Sequence, residues 1–358
     1  MQLRLAVLCL LGGVGALPTA AAVEATSVPA EAVEKRKLEP LRFESVSLHS
    51  ENDKYFAGTD RNYTSGFKVS LLSQDLLHGF GEARLPGPMR VAAKQAADRV
   101  LSSEREARIA ISLGQNLYTP TDTLRTDYIS NDRPYAAWLF VGAAFHNYRT
   151  AVETGSGARL DVFEINLGVV GPSALGRQIQ DLIHDIIGAE RSEGWDNQIH
   201  DEPGLNLIYE RKWRFSSPEA RTDWGIDLIP HAGVLLGNVF TYANAGVTIR
   251  AGFALPADFG PNLIRTSADA GSRRERFGFF AFLSADGRAV ARDITLDGNT
   301  FRESPSVNRR PFVYDLMGGI GIGVEWAQLT YTQARRSLEF RGQEKAHDFG
   351  SIALSFFY

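Results

Sequence analysis

From Leu41 onward, apolar residues recur at alternate positions in segments of about ten residues, separated by polar or Gly/Pro-rich turns. Alternation marks a half-buried strand, because successive side chains leave opposite faces of the pleat. Clear cases are ARIAISLGQ, AAWLFVGAAFHNY, ARLDVFEINLGVV, GLNLIYERKWRF, WGIDLIPHAGVLLG, AGVTIRAGFAL and ERFGFFAFLSADGRA, and the series ends on DFGSIALSFFY. About twelve such segments predict an all-β chain, an antiparallel barrel of about twelve strands. Two stretches break the period. MRVAAKQAADRVLSSE, residues 89–104, predicts an amphipathic helix. PSALGRQIQDLIHDIIG, residues 172–188, predicts a second, with Ile179, Leu182, Ile183 and Ile186 on one face and Gly188 as its stop.

A soluble β-sandwich or lipocalin-like barrel would also alternate. Aromatics near the segment ends, including Tyr209, Trp213, Trp224, Trp326 and Tyr331, together with long loops on one side and short turns on the other, favour a transmembrane barrel, whose closure leaves no strand edge in lipid. Ile352, Leu354, Phe356 and Tyr358 alternate to an aromatic end, which looks like the signal that outer-membrane barrels present to their assembly machinery. The amino-terminal MQLRLAVLCLLGGVGALPTAAA has the layout of a cleavable secretory signal. The expected organisation is therefore a signal over 1–22, a spacer over 23–40 and a barrel over 41–358. Cys9 leaves with the signal, Leu8 before it being too large for a lipoprotein cleavage site, so no thiol nucleophile or disulfide is expected. A net charge of -4 gives no reason to expect a nucleic-acid partner. With the amino terminus in the periplasm, parity puts the loop after the first strand and the 172–188 helix on the outer side, and the 89–104 helix on the periplasmic side.

The outer connections carry the candidate chemistry. HSENDKYFAGTDRNYTSGFKVS, residues 49–70, gathers Glu51, Asn52, Asp53, Asp60, Asn62 and Thr64, although such residues are also the ordinary stuff of turns. Oxygen donors without cysteine or paired histidines suit calcium rather than zinc. Of seven histidines, His184 lies on the helix in the same outer layer. On an otherwise apolar face it reads either as a packed core histidine or as a base able to deprotonate water beside a cation, the parts needed for ester hydrolysis. Neither a G-x-S-x-G elbow nor an H-E-x-x-H motif occurs.

Together ENDKYFAGTDRNYTSGF, LGQNLYTP, NDRPYAAWLF, GPSALGRQIQDLIHDIIG, GWDNQIHDEPGLNLIYE and LDGNTF resemble the lipid A deacylase family of outer-membrane enzymes. The resemblance spans about Leu41 to Tyr358. It implies a twelve-stranded, calcium-dependent barrel that removes the 3'-linked acyloxyacyl group of lipid A, with lipopolysaccharide and outer-membrane lipid as partners. By resemblance His184 is the general base, and Asn52, Asp53 and Thr64 hold or frame calcium and the oxyanion. Arg61, Arg125 and Arg133 are candidates for the phosphates or sugar oxygens of lipid A, with solvated loop charges as the plain alternative. The competing functions are a non-enzymatic porin-like or structural barrel and a barrel phospholipase.

Overall fold

A computed structural model describes residues 42–53, 55, 62–75, 105–149, 157–261, 263–265 and 276–358. The expected signal and spacer, the 89–104 helix and Arg61 lie outside them.

Twelve antiparallel strands follow in chain order: β1 (Phe43–Asn52), β2 (Asn62–Ser73), β3 (Arg105–Thr119), β4 (Ala136–Arg149), β5 (Ala158–Val170), β6 (Glu202–Ser216), β7 (Trp224–Gly237), β8 (Phe240–Phe253), β9 (Gly278–Asp293), β10 (Phe312–Val324), β11 (Ala327–Arg336) and β12 (His347–Phe357). Each pairs with its neighbours in sequence, and β1 closes the ring on β12. The alternating segments ARLDVFEINLGVV and WGIDLIPHAGVLLG coincide with β5 and β7. Among the described residues no helix is long and apolar enough to cross a membrane.

Alternation sorts the side chains in the sense opposite to a soluble barrel. Leu113, Val141, Phe163, Leu167, Leu283 and Ile320 point outward and are exposed, whereas Ser47, His49, Lys68, His146, Glu164 and Asp315 point inward and are buried. Only lipid can cover so large an apolar outer surface, which makes the strands membrane-crossing. At the end that carries the carboxy terminus, Trp224 packs edge-on against Phe279 and Trp326 stacks on Phe356. Tyr209 and Tyr331 fall within strands rather than at their margins, a departure from the expected aromatic placement.

The connections at this end are not uniformly short. After β8 the chain turns into the lumen, where Arg250 binds the Asp258 carboxylate at 2.5 Å and the Pro256 carbonyl at 3.0 Å. Further along, the Ile264 N–H donates to Glu51 at 2.7 Å, and Arg265 reaches Asp286 at 2.8 Å and Asp315 at 3.3 Å. Leu263 joins the buried cluster of Tyr63, Tyr118 and Trp138. Inward-facing charges make this entry favourable, since each inserted polar group meets a partner already desolvated on the wall.

Candidate active site

The outer ends of β1 to β4 align one outward row, Asn52 opposite Ser65, Ser65 opposite Leu117, and Leu117 opposite Ala137. Because alternation sends neighbours to opposite faces, Glu51 points into the lumen, where it holds Ile264, while Asn52 faces outward. The oxygen-rich stretch is thus divided by the wall, and Glu51 leaves the candidate donor set. Asp53 follows the end of β1 and is wholly buried, its N–H donating to the Thr64 carbonyl at 3.3 Å. Thr64 sits at a bulge between Tyr63 and Ser65, where β2 holds one residue more than β3. The bulge swings its hydroxyl to Thr119, 2.5 Å away, instead of leaving it in the alternating row. Asn52, Asp53 and Thr64 are therefore gathered at one point of the rim. Thr119 belongs with them, and only the bulge, which has no signal in the alternation, would have singled it out.

The long β5–β6 connection forms a 3-10 turn (Pro172–Ala174), then α1 (Gly176–Ile187), and a second 3-10 turn (Trp195–Asn197). Gly188 ends α1 at φ 68°, the left-handed cap for which glycine is suited. This unit docks on the outside of the wall. Ala174 and Trp195 pack with Leu117, Tyr135 and Ala137, and the Gln115 amide donates to the Ala174 carbonyl at 2.6 Å. Gly176 permits the approach, since a Cβ there would lie 2.6 Å from the Trp195 ring and 2.7 Å from the Ala137 methyl.

Gln180 and His184, one turn apart, are both buried. Gln180 accepts from the Trp195 indole at 2.7 Å. The His184 Nδ1 donates to the Glu190 carbonyl at 2.5 Å. A carbonyl only accepts, so in the neutral ring Nδ1 carries the proton and Nε2 the lone pair. His184 does not share the face of Leu182 and Ile186, which are exposed. The residue is packed, as the core-histidine reading expects, but on the helix's wall-facing side with Gln180 rather than on an apolar face.

The three arginines part company. Arg125 is exposed and forms a two-pronged pair with Asp127, Nε lying 3.0 Å from one carboxylate oxygen, and this pairing holds the Asp127 carboxyl below its usual range. Arg133 is buried, bound to Glu339 at 3.2 Å and Thr295 at 3.1 Å, with its guanidinium 4.9 Å over the Tyr118 ring. Its guanidinium is committed to a clasp among three outer loops, so it is not the solvated loop charge of the plain alternative. Arg61 is outside the described residues.

Asn52, Asp53 and Thr64 offer amide, carboxylate and hydroxyl oxygens, a donor chemistry that fits a hard cation. Among the described residues no cluster of three or more His, Cys, Asp or Glu side chains is placed to hold a metal, so such a site would draw on neutral oxygens as well. A cavity of about 70 Å³ inside the lumen is lined by Glu51, Tyr63, Trp138 and Arg336, and none of Asn52, Asp53, Thr64 or His184 borders it. Asn52, Asp53 and Thr64 lie at the rim on the far side of the wall, and His184 sits on the helix docked to that same outer face, which makes the outside of the wall the better candidate.

The fold defines an outer-membrane β-barrel with a loop helix docked on the outside of its wall. The model of the family described as outer membrane protein LpxR matches residues 10–358, and the chain belongs to that family, the lipid A deacylase family its motifs resemble. Among solved structures, LpxR from Salmonella typhimurium is 18% identical, with 88% of this chain and 100% of that chain covered and a TM-score of 0.69, so the two share a fold. The translocator domain of autotransporter NalP from Neisseria meningitidis is 8% identical, covering 88% of this chain and 87% of that one, with a TM-score of 0.41. The beta domain of the Bordetella autotransporter Brka is also 8% identical, covering 88% and 98%, with a TM-score of 0.39. No curated protein matches the sequence.

Proposed function

We propose that this protein is a calcium-dependent ester hydrolase that removes the 3'-linked acyloxyacyl group from lipid A of lipopolysaccharide. The observation that carries the reading is the orientation of His184, whose Nδ1 is held by the Glu190 carbonyl on the helix face turned to the wall. Membership of the LpxR family supports the substrate. The loop helix lies on the same outer face of the wall as Asn52, and on this reading His184 and the Asn52, Asp53 and Thr64 group serve one cleft.

In that cleft the His184 Nε2 takes a proton from water as the water oxygen attacks the ester carbonyl. The same Nε2–H then returns the proton to the departing 3' sugar oxygen, giving a free carboxylic acid and a sugar hydroxyl. Asn52, Asp53 and Thr64 would hold calcium, which when bound supplies positive charge against the oxyanion. Arg61 and Arg125 are the proposed phosphate contacts, Arg125 by exchanging Asp127 for substrate. A pore function has less to work with, since the β8–β9 connection enters the lumen at Asp258 and Ile264.

The test is mass spectrometry of lipid A incubated with detergent-solubilised protein, with calcium or chelator, beside His184→Ala. Calcium-dependent loss of the 3'-acyloxyacyl mass, absent in the variant, is expected. An unchanged mass with folded protein, or cleavage of glycerophospholipid instead, would overturn the assignment.

A further inference from the structure

α1 presents three different faces, and the one expected to be buried is not. At about 100° per residue, Gly176, Gln180 and His184 line the wall side, while Arg177, Asp181 and Asp185 line one flank. Leu175, Ile179, Leu182 and Ile186 line the other, with Leu182 55% and Ile186 75% exposed. The charged flank is engaged in water-compatible pairs, Arg177 with Asp196 at 2.8 Å and Asp185 with Arg191 at 2.5 Å. On the apolar flank Ile179 packs against the docked cluster, whereas Leu175, Leu182 and Ile186 remain exposed.

The position of the helix says what covers it. α1 and its turns lie outside the wall, on outward residues of β3, β4 and β5, namely Leu117, Ala137, Leu139 and Val169. The next outward positions down these strands emerge at once. Val141 lies two residues below Leu139, Leu167 two below Val169 and Leu113 four below Leu117, and all three are more than half exposed. Two residues of strand are about 7 Å, and a helix with its side chains is about 10 Å across. The charged flank pairs with the 191–196 return segment. That segment is tied to the outer β3–β4 connection by the Glu193 N–H on the Thr123 carbonyl and the Asn197 amide on the Thr126 carbonyl, both at 2.8 Å, so the apolar flank is the one turned toward the lipid-facing belt of the barrel.

We propose that α1 is an interfacial helix: the stripe of Leu175, Leu182 and Ile186 is sunk among the acyl chains of the outer leaflet, and its Arg177, Asp181 and Asp185 flank faces water. The arrangement has the physics of a surface-lying amphipathic helix, with one difference. Its third face is held against protein, so the membrane fixes the tilt of Gln180 and His184 toward the wall. The polar centre then opens sideways at the boundary between headgroups and chains, where the ester bonds of a lipid lie. The inference stands independently of what the site hydrolyses.

The test is nitroxide accessibility in the full chain, in a Cys9→Ser background, reconstituted in phosphatidylcholine vesicles. Labels at Leu182→Cys and Ile186→Cys are compared with Leu113→Cys on the lipid belt and Asp185→Cys on the charged flank. Oxygen is expected to relax the labels at 182 and 186 strongly and a water-soluble nickel chelate hardly at all, matching 113, with the reverse at 185. Strong nickel relaxation at 182 and 186 would overturn the proposal by placing the stripe in water. Exclusion of both reagents would overturn it in favour of a protein cover, a second copy being identified by the mass of the particle. Heat-resistant gel migration of every variant keeps misfolding separate from both results.

Discussion

Two adjacent residues do opposite jobs because a strand has two faces. Asn52 faces the candidate centre and Glu51 faces the lumen, so Asn52→Ala is expected to lower lipid A deacylation by about 100-fold, as loss of one polar group from a charge-stabilising site does. Glu51→Gln keeps an acceptor for the Ile264 N–H and should leave the rate within a few-fold of wild type. Side-by-side mass spectrometry of the two variants decides it, and equal losses would refute the division by the wall. The residue types of this stretch were legible in the sequence, as was the alternation that precedes it. Their division was not drawn from them, because the first loop reads as one polar run until the end of β1 is fixed at Asn52. The Thr64 bulge was likewise hidden, since an extra residue in one strand leaves the composition of both unchanged.

At the scale of the element, the docked helix depends on a missing side chain. Gly176→Ala would gain up to about 1 kcal/mol of helix propensity. It would also press a methyl to within 2.6 Å of the Trp195 ring and 2.7 Å of Ala137, where overpacking costs about 1–3 kcal/mol. Crowding wins, so the variant should expose residues 172–197 to limited proteolysis at a protease level that leaves wild type intact. The helix itself was readable from its 3.6-residue period and the Gly188 stop. Its orientation was not, because a period reports that apolar residues share a face and is silent on whether that face meets protein or lipid. For Leu182 and Ile186 the usual assumption of burial against protein is reversed, and the polar pair Gln180 and His184 takes the inside.

Across the whole molecule, one clasp joins three outer loops: Arg133 from the β3–β4 connection, Thr295 from β9–β10 and Glu339 from β11–β12. Burial alone would raise the Glu339 carboxyl, but the Arg336 and Arg133 guanidiniums outweigh it and hold it below the ordinary carboxylate range. With the folded value below the unfolded one, near 4.3, the stabilisation is complete above that pH and declines as pH falls toward the depressed value. Heat-modified gel migration measured from neutral pH downward should therefore show the unfolding temperature dropping below about pH 4, and Glu339→Gln should flatten the drop. The sequence disclosed twelve strands and their order, but the inserted β8–β9 segment escaped it, since Arg265 and the carboxylates it meets, Asp286 and Asp315, belong to separate stretches of chain. The ring closure carries a further consequence, one of timing. Asn52 on β1 pairs with Gly350 on β12, and the Ser47 and Ser355 hydroxyls meet at 2.7 Å across the same seam. The first strand to emerge during synthesis thus waits for the last before its rim is in place, so a chain still in transit, or one cut short before β12, lacks a finished centre. On the proposed function, hydrolysis would then belong to the completed, inserted protein, and lipids met on the way would be spared.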